Sequence, residues 1–182
     1  MKPARRALQL SALAALAAGC AEEEPLVHFP LGAPEACERP EPRPAMSPGA
    51  PRVLSHQFRR ESPSRAVELA RLAGGVYLQI LHQACGRESQ TFRFFLPKGK
   101  SPAGDAASVN AKAAALMHDL EVPGPVGAAL RQLTLRLSEA GPAALGTRLE
   151  MGEFQELMVT THPAPETSVY ETIIVVTYRL KV

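Results

Sequence analysis

The stretch SPSRAVELARLAGGVYLQILHQAC, residues 62–85, decides how this chain folds, because it carries the signals of two different elements. Ala66, Leu69, Ala70, Ala73, Val76, Tyr77, Ile80, Leu81 and Ala84 follow the i, i+3, i+4 spacing of one helix face. Ser62 offers a hydroxyl to cap free amides, and Pro63 fits a first helical turn, where its missing N–H costs nothing. Against this stand Gly74 and Gly75, which cost about 2 kcal/mol relative to alanines in a helix interior. The alternative is a helix ending at Ala73 and a strand over residues 76–82. The unbroken period favours one long helix, with Gly86 as its stop.

Downstream, the patterns alternate in type. Residues 91–96 read as a strand, with Phe92, Phe94 and Leu96 on one face, ending at Pro97. Asp105 or Ser108 caps a second helix running to about Leu120, which Pro123-Gly124-Pro125 breaks. Residues 126–140 read as a third helix through Val126, Ala129, Leu130, Leu133 and Leu137, although Leu133, Leu135 and Leu137 also alternate as in a strand. Residues 169–182 hold the clearest strand: Ile173, Ile174, Val175, Val176, Thr177 and Tyr178 are β-branched or aromatic, and their two-sided apolarity marks a central position. Residues 155–161 are its expected antiparallel neighbour, joined by a loop over residues 162–167. The expected fold is α+β: a small antiparallel sheet of at least three strands, with the C-terminal strand central, packed against two or three helices. The 130 residues from 53 to 182 are enough for a single domain.

The N-terminus has a different character. Lys2, Arg5 and Arg6 precede a mostly apolar 12-residue stretch, residues 7–18, too short to span the roughly 30 Å of a bilayer as a helix. Leu16-Ala17-Ala18-Gly19-Cys20 follows. This segment resembles the signal peptide and lipobox of bacterial lipoproteins, with the leucine one place earlier than in the commonest pattern of that family. The resemblance implies removal of residues 1–19 and a diacylglyceryl group, with further acyl chains such as palmitate, on Cys20. More than one long chain, at about 0.8 kcal/mol per buried CH₂, gives stable anchoring. Ala21 stands where the family's inner-membrane retention signal would have Asp, which implies the outer membrane of the cell envelope, with the domain in the periplasm or at the cell surface. The downstream sequence has no second apolar span of membrane length.

Loss of the signal changes the charge. The whole chain has 20 basic and 18 acidic residues; without Lys2, Arg5 and Arg6 the basic count is 17 and the formal charge −1. No basic excess or run remains to neutralise phosphates, so nucleic acid is not an expected partner. Residues 20–52 then read as the lipidated cysteine and a tether. Pro25, Pro30, Pro34, Pro40, Pro42, Pro44, Pro48 and Pro51 make it extended and semi-rigid, with a reach of up to about 100 Å. Leu26, Val27, Phe29 and Leu31 are its apolar residues, and docking of these on the domain is the alternative. Cys37 and Cys85 remain as an even pair in an oxidising compartment. A disulfide between them would close a loop of about 49 residues and stabilise by about 4 kcal/mol; the alternative is two free thiols.

Chemistry-bearing motifs are sparse. The sequence has no Gly-x-Ser-x-Gly elbow, Ser-x-x-Lys, His-Glu-x-x-His or phosphate loop. His82 and Cys85 are half of a metal site at most, and no catalytic residue, metal or cofactor is expected. His118-Asp119 and the carboxylates of Glu150, Glu153 and Glu156 read as solvated polar edges, and His28, His56 and His162 as solvated residues of tether or loop. Residues 62–76 are faintly similar to the wall-binding helix of OmpA-like domains, but the arginine-to-glycine spacing does not match. The chain lacks Trp, and its three Tyr, at 77, 170 and 178, fall in expected core elements, which disfavours glycan stacking.

The expected function is that of an outer-membrane-anchored lipoprotein whose domain binds another envelope protein as a non-enzymatic accessory or assembly factor. Convergence of Ser, His and acidic side chains in one cleft would favour an envelope hydrolase instead, and a large apolar cavity a small-ligand carrier. Labelled palmitate is expected to enter the wild-type protein and not Cys20→Ser; a wild type that takes up no label, with the substituted protein equally membrane-bound, would overturn the lipoprotein reading.

Overall fold

The computed structural model describes residues 41–46, 49–84, 88–121, 128–152 and 155–180. Four strands come first: β1 (Val53–Ser62), β2 (Arg65–Leu72), β3 (Val76–Gln83) and β4 (Ser89–Pro97). Two helices follow, α1 (Ala106–His118) and α2 (Ala128–Ala140), then β5 (Arg148–Gly152), β6 (Gln155–Pro163) and β7 (Tyr170–Leu180). The strands form one seven-stranded sheet in the order β1-β2-β3-β4-β7-β6-β5, with every neighbouring pair antiparallel.

The expected α+β fold with a small sheet is therefore corrected. The protein is β-rich: 47% of the described residues are in strands and 21% in helices. The main reason is the decisive stretch itself: residues 65–83 form the β2–β3 hairpin, with Leu72 opposite Val76 and Arg65 opposite Gln83. Gly74 and Gly75 have φ of +85° and +79°, so they do not sit inside a helix but turn the chain in the left-handed conformation that glycine alone adopts without strain. Pro63 lies in the turn that joins Ser62 to Arg65, not in a first helical turn. The helical period misleads because β3 is buried on both faces, so apolar residues fall at nearly every position and satisfy either spacing.

Other elements are where the sequence puts them. β4 ends at Pro97, and β6 pairs with β7 as its antiparallel neighbour. β7 lies between β4 and β6, inside the sheet. Asp105 caps α1 by accepting from the Ser108 N–H (2.9 Å) and the Ser108 hydroxyl (2.7 Å). α2 buries Leu130, Leu133 and Leu137, which settles that segment as a helix. The positions Val126 and 123–125 lie outside the described residues, as do Gly86 and Glu153.

One face of the sheet and the helices share the core. Leu78, Ile80, Phe92, Phe94, Ile174 and Val176 are fully buried in a single apolar cluster with Val109, Ala113 and Met117 of α1 and with the leucines of α2. Met46 belongs to the same cluster, and Pro42 and Ala50 are also buried, so the last part of the proline-rich segment is packed on the domain. No helix among the described residues is long and apolar enough to cross a membrane.

The hairpin turn gives a direct test. Gly75 has room for a methyl group, the nearest atom being Pro97 Cγ at 3.7 Å, so a substitution there meets backbone strain and not a clash. Gly75→Ala is expected to destabilise by about 1–2 kcal/mol, read as a lower thermal midpoint; an unchanged or raised midpoint would contradict the turn.

Candidate functional site

The most unusual feature of the fold is a carboxylate on its covered face. Glu68 lies between Val67 and Leu69 on β2, and alternation along the strand puts it on the side of Ala66, Ala70 and Leu72. Its side chain is fully buried. The register places Phe58 of β1 and Ile80 of β3 directly opposite Glu68, with His56 opposite Ala70 and His82 opposite Ala66. The two alanines leave space over β2, and the imidazoles of both neighbouring strands reach Glu68 diagonally through it.

His56 Nε2 is 2.6 Å from Glu68 Oε1, and His82 Nε2 is 2.9 Å from Oε2. From the segment over the sheet, the Ala45 N–H donates to Oε2 (2.9 Å) and the Met46 N–H to Oε1 (3.1 Å). The His56 and His82 side chains are only 9% and 4% exposed, and the ring of Phe58 meets that of His82 edge-on with centroids 5.8 Å apart. Burial pushes the Glu68 carboxyl pKa up; the bonds from His82, Ala45, His56 and Met46 outweigh it and hold the group below its ordinary value of 4.5. Glu68 is thus an ionised acceptor of four bonds. An ionised carboxylate only accepts, so each histidine presents Nε2–H to it, and Nδ1 is the remaining ring nitrogen.

Beside His82 opens a cavity of about 390 Å³, whose walls include Arg43, Glu41, Glu88 and Gln90. A second cavity of about 180 Å³ shares Pro44 and Gln90 with the first and is lined by Leu130, Leu133, Met151 and Tyr178. Burial, and secondarily the charge of Glu88, raises the pKa of the Tyr178 phenol. Glu41 is bound to Arg60 at 2.6 Å.

Two expectations for single residues are corrected here. His56 is not a solvated residue but a strand residue bound to Glu68, because β1 begins at Val53 and pairs with β2. Glu156 is not on an exposed edge: it is 8% exposed, with Arg148 at 3.7 Å and Arg179 at 3.8 Å, because β6 lies between β5 and β7. His162 is exposed at the end of β6. His118 is exposed and meets Glu121 at 3.3 Å, while Asp119 takes Arg52 at 3.1 Å. Cys20, Cys37, Cys85 and His28 lie outside the described residues. The nearby hydroxyls of Ser62 and Ser64 meet each other at 3.3 Å. Among the described residues no group of three or more His, Cys, Asp or Glu is arranged to hold a metal ion.

Sequence reading missed the cluster. Its one local signal was an acidic residue inside an apolar run, flanked at i−2 and i+2 by alanines. No family model matches the chain, and neither a curated protein nor a solved structure matches it.

Removing the charge while keeping the shape tests the cluster. Glu68→Gln puts an amide donor against donors and is expected to cost about 3–5 kcal/mol, as for one partner of a buried ionic network. A carboxyl held below its unfolded value stabilises the fold fully above that value, and the contribution is lost as pH falls through the lower folded pKa. Wild-type stability should therefore fall below about pH 4.5, and this part of the acid decline should be missing in Glu68→Gln. Denaturant unfolding at a series of pH values reads both; parallel curves for the two proteins would refute the ionised state.

Proposed function

We propose that the protein is a lipid-anchored accessory or assembly factor of the bacterial envelope, held through Cys20, whose domain binds an extended segment of another envelope protein along β1. The observation that carries this reading is the edge of the sheet. β1 is ten residues long and among the described residues pairs with β2 on one side alone, which leaves half of its backbone donors and acceptors facing outward. Edge strands are usually blunted by charge. Here the charges are at one end, where Arg59 pairs with Glu61 and Arg60 with Glu41. Residues 53–58 contain no Lys, Arg, Asp or Glu, and Leu54 is 71% exposed. The opposite edge, β5, has five residues and carries Arg148 and Glu150.

Strand addition uses such an edge: main-chain bonds supply affinity, and alternate side chains supply selectivity. A lipid anchor suits the same role, since it confines the domain to the surface where its partner resides. The short lipobox-like segment ending at Cys20 supports the envelope location.

A photo-crosslinking residue at Leu54 of the full lipidated protein in native membranes is expected to give one discrete adduct with an envelope protein. Gln57→Lys in the same chain should lower its yield about tenfold by charging the edge. Equal yield from a probe at Arg148, or no adduct at Leu54, would overturn the proposal.

A further inference from the structure

We infer that the cavity beside His82 is a binding site for a small zwitterion, of the size of a dipeptide with free amino and carboxyl termini. This inference does not rest on the reading given to the β1 edge.

His82 is one of the residues lining the cavity, and its side chain is only 4% exposed. Glu68 takes the Nε2–H of that ring at 2.9 Å and thereby holds the ring in place, leaving Nδ1 as the nitrogen with capacity for a ligand. In the neutral ring Nδ1 accepts, which suits an ammonium or amide N–H.

The charges around the opening are of both signs. Glu41 is already compensated by Arg60 at 2.6 Å. Arg43 and Glu88 also line the cavity, and neither forms an ion pair among the described residues. Among the described residues, one guanidinium and one carboxylate without an ion pair on a single cavity match one carboxylate and one ammonium on a single ligand. Arg43 would hold the carboxylate by paired N–H donors, while Glu88 and His82 Nδ1 would take the ammonium. A simple anion would leave Glu88 facing it, and a simple cation would leave Arg43. A volume of about 390 Å³ is within the range of small-molecule sites and larger than a single small amino acid needs. The charged walls also make it unsuited to an apolar cargo.

The test uses the purified mature lipoprotein in detergent and calorimetric titration with alanyl-alanine in three forms: free, N-acetylated and C-amidated. Saturable binding of the free dipeptide is expected, with each cap weakening it at least about tenfold, the loss of one charge-assisted contact. Arg43→Gln should erase the difference between free and amidated forms, and Glu88→Gln the difference between free and acetylated forms. Both positions are away from the core, so unchanged thermal midpoints should accompany these effects. No saturable binding of the free dipeptide, or capped forms that bind as tightly as the free one, would overturn the assignment.

Discussion

The arrangement around Glu68 depends on giving one buried carboxylate enough hydrogen-bond donors. A charge taken out of water costs several kcal/mol unless its lone pairs are met, and Glu68 is fully buried. Its four donors come from three places far apart in the chain: 12 residues away on β1, 14 away on β3, and 22 to 23 away in the segment over the sheet. Each must be correctly placed at the same time. A one-residue slip of β1 or β3 would carry His56 or His82 to the opposite face and leave the carboxylate unpaired. The cluster therefore specifies register more than it adds stability, and it draws residues 44–46 onto the sheet.

The same geometry links the cluster to the core. Met46, whose N–H donates to Glu68, puts its side chain into the apolar cluster shared by the sheet and the helices. Ala66 and Ala70 have to stay small for the imidazoles to reach across, and the bulk is supplied further along the same face by Leu72, Leu78 and Ile80. β4 and β7 then join the first four strands to the last three; Phe92 faces Val176 and Phe94 faces Ile174 across that join. The helices enter the chain between β4 and β5, so the central pair is made by strands distant in sequence.

The proposed roles use different parts of this frame. β1 contributes His56 inward to Glu68 and offers its other backbone edge outward, so the interaction that fixes the strand also rigidifies the edge. A preformed edge lowers the ordering cost of strand addition. His82 serves in a comparable way on β3, held by Glu68 on one nitrogen and lining the cavity. A rigid support behind a binding group limits the entropy lost when a ligand arrives.

What the sequence determined by itself was local. The β-branched run of residues 173–178, the alternating phenylalanines ended by Pro97, the Asp105 cap and the leucine spacing of α2 each express a short-range rule, and the structure follows them. The resemblance of residues 16–20 to a lipobox is likewise carried by adjacent residues. Tertiary structure decided two things. Residues 65–83 became a hairpin because burial on both faces of β3 rewards a strand, while the helical period was satisfied there by the dense apolar run of residues 76–81. The Glu68 cluster formed because strand pairing brings together residues that have no sequence relation. A histidine at 56 reads as solvated when β1 is unseen, and only its neighbour across the sheet, a buried carboxylate needing a donor, gives it a role.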